Sequence, residues 1–171
     1  MHLLAPAPVG GLETVVSTLS AAQSRAGHRV IVAPTLSNPG EAEPFIQSLA
    51  GSGVEIEPLV VGRRAYLRER RMIRERCHSE RVDIVHTHGY RSDIVGGSAA
   101  RQAEVPRVTT VHGFTGGGWK ARGYEELQLW SFRRFDAVVA VSRPLAAQLR
   151  TRGVGANQLH TIPNALSLIH I

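Results

Sequence analysis

Two adjacent glycines, Gly10 and Gly11, stand between the first apolar run of the chain and its first helical pattern. A glycine-rich bend that leads into a helix leaves backbone N–H groups free at the positive end of the helix dipole. Such a bend suits an anion such as phosphate, although many loops contain glycine merely to turn. The Gly-x-Gly-x-x-Gly spacing is missing, and no acidic residue follows the second predicted strand at the ribose position. We therefore expect no nicotinamide or flavin dinucleotide site.

Three histidines and one glutamate stand where they could contact a ligand. His112 follows a predicted strand, where a neutral imidazole can hydrogen-bond a sugar hydroxyl or a carbonyl; the alternative is a histidine that caps the loop. We expect His86 and His88 to point to opposite faces of their strand, one packing inside on a backbone hydrogen bond and His88, nearer the end, reaching the site. With no third ligand at suitable spacing, zinc is not expected. Glu13 either accepts hydrogen bonds from ligand hydroxyls or favours the first helical turn.

Polar residues follow the other predicted strands as well. Tyr90 stands four residues and Gly113 two residues after the end of two of them, and Asn164 follows the last. Ser142 precedes a proline that suits an early helical position, so its hydroxyl is expected to cap that helix, with ligand contact as an addition. There is no Gly-x-Ser-x-Gly elbow and no acid placed to orient a histidine, so a Ser-His-Asp hydrolase is not predicted.

Arginine supplies almost all of the positive charge. The chain has 20 Lys and Arg against 14 Asp and Glu, a formal charge of +6, and Lys120 is its only lysine. The predicted helix over residues 63–81 contains Arg70, Arg71 and Arg74, which share one sector of its surface. Two interpretations stay open: a solvated face with i,i+4 ion pairs, or contact with an anionic membrane surface. Nucleic acid is not expected, because no aromatic platform or groove-reading motif accompanies the basic run.

Short apolar runs alternate with helical patterns along the whole chain. The runs are continuous and rich in Val and Ile, which is typical of parallel strands buried on both faces and joined by crossover helices. About seven strands are predicted, at residues 2–5, 29–33, 54–61, 82–86, 107–111, 137–141 and 159–162. The expected fold is an α/β, doubly wound, mostly parallel Rossmann-like sheet. Its ligand site should lie at the carboxyl ends of the strands, where the strand order reverses.

The composition is that of one folded domain. With 171 residues and 43% hydrophobic content, the chain can bury a substantial core. The single cysteine, Cys77, excludes an internal disulfide framework, suits a reducing compartment and is expected to pack inside its helix. No run is long enough for a membrane-spanning helix, and residues 1–4 lack the features of a secretory signal. We therefore expect a cytoplasmic protein, with peripheral contact with the inner face of the membrane as an addition.

Six stretches carry a resemblance to a known family by their order and spacing. They are Gly10-Gly11-Leu12-Glu13-Thr14, Ala26-Gly27-His28-Arg29-Val30, Asp83-Ile84-Val85-His86-Thr87-His88, Val111-His112-Gly113, Asp136-Ala137-Val138-Val139-Ala140-Val141-Ser142 and Ile162-Pro163-Asn164. Together they make the chain similar to the N-terminal half of a GT-B glycosyltransferase, of the large retaining family often called family 4. The resemblance extends over nearly the whole chain.

The resemblance implies a two-domain enzyme that takes a sugar from a nucleotide-sugar donor. The donor would be held mainly by the C-terminal domain, while the N-terminal domain supplies most of the acceptor site. The Gly10-Gly11 loop would lie near the donor diphosphate and the acceptor, His112 would touch the donor sugar as the candidate catalytic residue, and Ser142 and Asn164 would mark the rim and the start of the interdomain linker. Other candidate contacts to donor or acceptor are Glu13, His88, Tyr90 and Gly113. The resemblance implies no divalent metal, because protein groups and helix dipoles stabilise the departing diphosphate.

The family's C-terminal domain, with its paired glutamates and Lys/Arg diphosphate clamp, lies outside these 171 residues. We expect residues 1–164 to form the N-terminal domain and residues 165–171 to be a truncated linker with a tail that need not be native. Such a chain alone would not transfer sugar. The expected acceptor is a glycolipid, a cell-envelope polysaccharide or a small molecule. Two alternatives are a stand-alone, non-catalytic module that binds an anionic ligand or membrane surface, and half of another GT-B enzyme such as a sugar-nucleotide epimerase.

Overall fold

A parallel sheet with helices on both sides forms the molecule, as the alternating pattern predicts. The computed structural model describes residues 1–7, 10–62, 64–114 and 119–163, with residues 119–122 described by their backbone alone. In these ranges the strands are β1 (His2–Leu4), β2 (Ile31–Leu36), β3 (Glu55–Ile56), β4 (Leu59–Val60), β5 (Val85–His88), β6 (Arg107–Val111), β7 (Ala137–Ala140) and β8 (Leu159–Thr161). The helices are α1 (Gly11–Arg25), α2 (Glu43–Ser48), α3 (Tyr66–Ser79), α4 (Gly97–Gln102), α5 (Trp119–Phe132) and α6 (Arg143–Thr151), and a π-helical turn (Ser92–Gly96) leads directly into α4.

The strand order of the sheet reverses between β1 and β5. The order across the sheet is β3-β2-β1-β5-β6-β7-β8, and every pair is parallel. β3 and β4 both pair with β2, one after the other, so the eight strands of the described ranges occupy seven positions. The chain thus builds the sheet outward in both directions from β1 and β5. The carboxyl ends of these two strands mark the switch point, where doubly wound sheets bind their ligands.

β2 continues through Pro34 to Leu36, although the predicted strand ended at residue 33. The carbonyls of Val32 and Leu36 accept hydrogen bonds from Glu57 and Val61, on the side of β3 and β4. Pro34 lies between them and faces the same side, at the break between β3 and β4. Its missing N–H therefore interrupts no ladder, which is where a strand tolerates proline.

β5 lies further along the chain than predicted. The expected strand covered residues 82–86, whereas pairing with β1 carries β5 to its last residue, His88, opposite Leu4. Helix follows at residues 90–102 and contains the π-helical turn near its start. Gly96 allows this turn to lie close to the sheet, since a Cβ there would come within 2.6 Å of Leu3 Cδ1.

Three apolar clusters hold the helices against the sheet. One, around Phe132, packs α5 and α6 on β6 to β8; a second, around Leu3, packs α3 and α4 on β1 and β5; a third, around Val16, packs α1 and α2 on β2. Burying one large apolar side chain contributes about 1.5–3 kcal/mol, so each cluster fixes its helices firmly. The loop before α1 and one side of α5 are thereby brought to the carboxyl edge of the sheet.

Candidate functional site

A cleft of about 770 Å³ opens at the carboxyl edge of the sheet, at the ends of β1, β5 and β6. The loop before α1 forms one side of it, and α5 forms another. Seven of the residues predicted for the site line the cleft: Gly10, Gly11, Glu13, His88, Tyr90, His112 and Gly113. Residues from separate parts of the chain therefore meet in one place, at the switch point.

The Gly10-Gly11 loop is held in shape by the side chain of Glu13. The Ala7 N–H donates to Glu13 Oε1 at 2.6 Å. Glu13 Oε2 lies so close to Gly10 that a Cβ at position 10 would collide with it, whereas a Cβ at Gly11 would meet nothing within 4 Å. Gly10 has an extended backbone with φ −170°, so the loop needs it for space and not for a positive φ. Glu13, which is 9% exposed, thus orders the loop from within the first helical turn.

α1 begins without a side-chain cap, and its first residues line the cleft. Its N-cap residue is Gly10, which has no side chain to cap the helix. Gly11 and Leu12 are both cleft residues. The helix dipole adds partial positive charge at this end, so an anion placed here would be stabilised.

His112 directly follows β6 and has an unsatisfied ring nitrogen. Its Nε2 is buried and finds no hydrogen-bond partner among the described residues. Burial lowers the pKa of His112, and the negative charge of Glu13 opposes that shift. The imidazole is therefore neutral at neutral pH, the form that can both donate and accept. The next residue, Gly113, has φ 131°, a conformation that side-chain-bearing residues rarely adopt.

His2, His86 and His88, together the histidine cluster, lie on the face of the sheet that α1 covers. The expectation that His86 and His88 point to opposite faces is wrong, because alternate residues of a strand share a face. Their rings stack with centroids 4.3 Å apart. His2 is paired with His86 in the neighbouring strand, and its ring centroid lies 5.0 Å and 5.4 Å from those of His86 and His88. His86 and His88 therefore share a face, and His2 is a third nitrogen ligand beside them. These two findings remove the reasons for which no metal was expected.

His86 and His88 each make a hydrogen bond to another side chain, and not the expected one to the backbone. His86 Nε2 bonds Thr110 Oγ1 at 2.8 Å. His88 is 1% exposed yet lines the cleft, and its Nδ1 has no partner among the described residues. His88 is thus part of the buried floor of the cleft.

Three cleft residues that the sequence analysis missed are Arg91, Tyr124 and Gln128. Tyr124 and Tyr90 are about half exposed and place their ring centroids 5.6 Å apart. Arg91 donates through Nε and Nη2 to the buried carboxylate of Glu69 at 3.0 and 2.9 Å. Tyr124 and Gln128 stand four residues apart on one helix, a spacing that could have indicated a shared face. Arg91 follows Tyr90 at the end of the same strand, which could have indicated its place in the cleft, but its pairing with Glu69, 22 residues away, had no local signal.

A second polar group, the Asp93 cluster, lies on the other face of β5. Asp93 Oδ1 accepts hydrogen bonds from Thr87 Oγ1 at 2.5 Å and from Thr109 Oγ1 at 2.7 Å. Asp93 Oδ2 accepts one from Gln128 Nε2 at 2.6 Å. Burial raises the pKa of Asp93 to about 6, although all three hydrogen bonds act to lower it. This cluster fastens the cleft side of α5 to the centre of the sheet.

One predicted site residue, Ser142, stands apart from the described cleft. Ser142 caps α6, since its Oγ accepts a hydrogen bond from the Leu145 N–H at 3.3 Å, as the sequence predicted. Ser142 is absent from the residues that line the cleft. Asn164 lies outside the described residues.

α3 presents basic and apolar side chains to solvent together. Arg71 and Arg74 are exposed and Arg70 is half-buried, while Leu67, which lies three and four residues before Arg70 and Arg71, is 74% exposed. Arg71 pairs with Glu75 at 2.8 Å. Leu67, Arg70, Arg71 and Arg74 share one side of the helix and are called the arginine face below. None of the helices described here has the length and apolar character needed to cross a membrane.

Cys77 lies on the buried side of α3, next to the arginine face, as expected. Burial raises the pKa of its thiol to about 11. A thiol with so high a pKa is protonated at neutral pH and is a poor nucleophile. Cys77 therefore contributes packing.

Comparison of the sequence with known proteins gives two matches. The sequence model of Glycosyltransferase Family 4 matches residues 9–168. A stretch of 91 residues is 32% identical to an Escherichia coli protein named UDP-Gal:alpha-D-GlcNAc-diphosphoundecaprenol alpha-1,3-galactosyltransferase. This stretch is 53% of the present chain and 23% of the relative.

Solved structures with the same fold include enzymes of more than one kind. Anabaena Alr3699/HepE, solved in complex with UDP-glucose, has a TM-score of 0.76 and 17% identity over 95% of this chain. A UDP-N-acetylglucosamine 2-epimerase has a TM-score of 0.71 and 12% identity over 93% of this chain. At these identities the likeness shows the fold alone. The chain spans 43% and 46% of those two chains, less than half of each.

Proposed function

Because the chain belongs to glycosyltransferase family 4, we propose that it is the acceptor-side domain of a retaining glycosyltransferase that uses a nucleotide-sugar donor. The proposed acceptor is a glycolipid or a related precursor of a cell-envelope polysaccharide. The name of the E. coli relative describes transfer of galactose from UDP-Gal to a GlcNAc carried by diphosphoundecaprenol. That name favours a lipid-linked acceptor here over a small soluble one.

The observation that carries the proposal is the unsatisfied Nε2 of His112 in the same cleft as the uncapped N-terminus of α1. A sugar hydroxyl can supply the missing partner of a buried, neutral imidazole. The helix N-terminus can stabilise negative charge that develops on a departing diphosphate. A site with both features suits transfer of a sugar from a diphosphate.

The other cleft residues have roles that follow from their positions. Gly10 and Gly11 allow the diphosphate or the acceptor to approach the backbone of the loop. Tyr90 and Tyr124 offer ring faces and hydroxyls to a sugar at the mouth of the cleft. The donor nucleotide and the groups that clamp its diphosphate belong to a second domain, and transfer needs no divalent metal at the diphosphate. The 171-residue chain alone is therefore expected to be inactive.

His112→Ala in the complete enzyme tests the proposal. A hydrogen bond to the donor sugar that strengthens in the transition state contributes several kcal/mol, so we expect kcat to fall by about 10²–10³-fold with a smaller change in KM for the donor. His160→Ala is the matched control, because His160 is exposed on β8, away from the cleft. A folded His112→Ala enzyme with kcat within two-fold, roughly, of the native value would overturn the role of His112.

Two measurements separate the proposal from its alternatives. Incubation of the complete enzyme with a UDP-sugar and no acceptor should leave the sugar unchanged at C2; conversion at that carbon would favour an epimerase, whose fold is shared. Turnover of a nucleotide sugar by the 171-residue chain would contradict its expected inactivity. Anion binding by a complete protein that lacks any transferase activity would favour the non-catalytic module.

We also propose that the arginine face contacts an anionic membrane. Arg91 at the cleft is bonded to Glu69 of α3, so this helix lies next to the site that would receive a lipid-linked acceptor. An exposed leucine among arginines suits an interface where apolar groups enter the lipid and guanidinium groups meet phosphates.

Reversal of the three arginines to glutamate tests the membrane contact. Each basic residue near an anionic surface contributes about 1 kcal/mol, so the triple variant of Arg70, Arg71 and Arg74 should bind phosphatidylglycerol vesicles at least about 100-fold more weakly. The matched control reverses Arg101, Arg143 and Arg150, which are exposed on α4 and α6. Equal loss of vesicle binding in both variants, or no loss in the variant of Arg70, Arg71 and Arg74, would contradict the membrane contact.

A further inference from the structure

Three imidazoles converge where β1 and β5 lie side by side. His86 and His88 alternate along β5, and His2 is opposite His86 in β1. This register places all three side chains on one face of the sheet. One ring nitrogen from each lies within 4.8 Å of the other two.

Hydrogen bonds around the histidine cluster point one nitrogen lone pair into it. Gln23 Oε1 can only accept, so His2 Nε2, at 2.6 Å, carries the hydrogen and His2 Nδ1 has the lone pair. His2 Nδ1 faces His88 Nε2 at 3.1 Å, and in this structure the hydrogen between them belongs to His88. His88 Nδ1, on the other side of that ring, is buried and has no partner among the described residues, so it can take this hydrogen when Nε2 binds a metal.

The outer ring nitrogens of two of the three histidines are held by neighbouring side chains. His2 and His86 bond Gln23 and Thr110 through these nitrogens, as metal-binding histidines commonly do.

We propose that His2, His86 and His88 form a site for a divalent transition metal of the zinc class, with a fourth position open toward the cleft. Zinc–nitrogen bonds of about 2.0–2.1 Å in a tetrahedron place two ligand nitrogens about 3.3–3.4 Å apart. The 3.1 Å between His2 and His88 already approaches this separation, and rotation of the His86 ring completes the set. With the metal bound, His88 carries its proton on Nδ1. Three neutral nitrogens without a carboxylate favour Zn²⁺, Ni²⁺ or Cu²⁺ over Mg²⁺ or Ca²⁺.

The ion would tie β1 to β5 beneath the Gly10-Gly11 loop. Its charge would also make the floor of the cleft positive, because His88 lines that floor. The site does not depend on the proposed transferase function, and it is expected whichever ligand the cleft takes.

Cobalt substitution tests the site without an activity assay. The protein, freed of metal with a chelator, is titrated with Co²⁺, and the visible absorption of tetrahedral cobalt is followed. We expect saturation at one ion per chain and displacement by Zn²⁺. A folded native chain that shows no such spectrum would overturn the proposal.

Variants assign the ligands. His86→Leu and His88→Leu should each weaken Zn²⁺ binding by more than the about 10–100-fold expected for Gln23→Leu, which removes only the supporting hydrogen bond. His160→Gln, on an exposed strand end, should bind as the native chain does. If the leucine variants do not fold, thermal unfolding of the native and His160→Gln chains decides, because Zn²⁺ should raise both midpoints equally. Unchanged midpoints, or leucine variants that bind Zn²⁺ with native affinity, would contradict the assignment.

Discussion

The two faces of β5 carry buried polar groups that are satisfied to very different degrees. On one face Thr87 donates to Asp93, and both carboxylate oxygens of Asp93 have donors. On the other face His88 shares a single hydrogen bond with His2 and leaves its Nδ1 unpaired among the described residues. One strand therefore separates a completed network from an incomplete one.

The difference indicates two roles for buried polar groups, stabilisation of the fold and binding of a ligand. A buried network in which every group is paired makes a structure rigid, and the Asp93 cluster fastens Gln128, a cleft residue on α5, to the sheet. A buried polar atom without a partner costs free energy unless something binds it. The unpaired nitrogens, those of His88 and His112, belong to residues that line the cleft. Unsatisfied polar atoms thus lie where a ligand can reach them, whereas the satisfied network supports one wall of the cleft from the other face of β5.

Asp93→Ala should break the completed network and cause the largest change. The substitution leaves three buried donors without an acceptor, so we expect a loss of about 3–5 kcal/mol in the free energy of unfolding, measured with urea. Asp83→Ala is the control, because Asp83 is exposed and should cost less than about 0.5 kcal/mol. Similar losses in the two variants would show that the cluster does not stabilise the fold.

The pH dependence of stability should report on Asp93 directly. Its folded pKa of about 6 lies above its ordinary value, so the folded protein holds this proton more tightly than the unfolded chain. The resulting stability is complete below about pH 4 and is lost as the pH rises through 6, a change of order 3 kcal/mol. Asp93→Asn should remove this dependence, as urea unfolding across the pH range would measure. Parallel curves for the two proteins would contradict the raised pKa.

Gly10→Ala should disturb the Gly10-Gly11 loop, which forms one side of the cleft above the histidine face of β5. Its Cβ would collide with the Glu13 carboxylate, and overpacking of this kind costs about 1–3 kcal/mol. Gly11→Ala is a matched control on the adjacent residue, where a Cβ meets nothing within 4 Å and should change stability little. Thermal unfolding of both variants gives the comparison. Equal effects would mean that the loop needs glycine for another reason.

Two neighbouring threonines allow the smallest and most direct comparison of the faces. Thr109 donates to Asp93, whereas Thr110 bonds His86. A hydrogen bond to a charged group contributes about 1.5–3 kcal/mol and a neutral one about 0.5–1.5 kcal/mol, so Thr109→Val should cost about 1 kcal/mol more than Thr110→Val in urea unfolding. The reverse order would show that the histidine face, not the Asp93 face, is the more completely bonded one.

Much of the cleft could be predicted from short stretches of sequence. Gly10, His112 and Gly113 stand shortly after apolar runs, and the ends of parallel strands meet at one edge of the sheet. The orientation of His86 and His88 was also decided locally, by the two-residue period of a strand, although the expectation drawn from it was wrong. Neither the partner of Arg91 nor the donors to Asp93 had a local signal, since Gln128 is 35 residues from Asp93.

The sequence by itself determined the alternation of strands and helices, the family and the edge of the sheet where a site belongs. These properties depend on local periodicity, on the positions of glycine and proline, and on the order and spacing of short motifs along the chain. Only the tertiary structure decided that His2 joins His88 across 86 residues and that Glu13 folds back on the loop. Pairing between distant strands depends on which register buries the most apolar surface, and no single stretch of the chain contains that information.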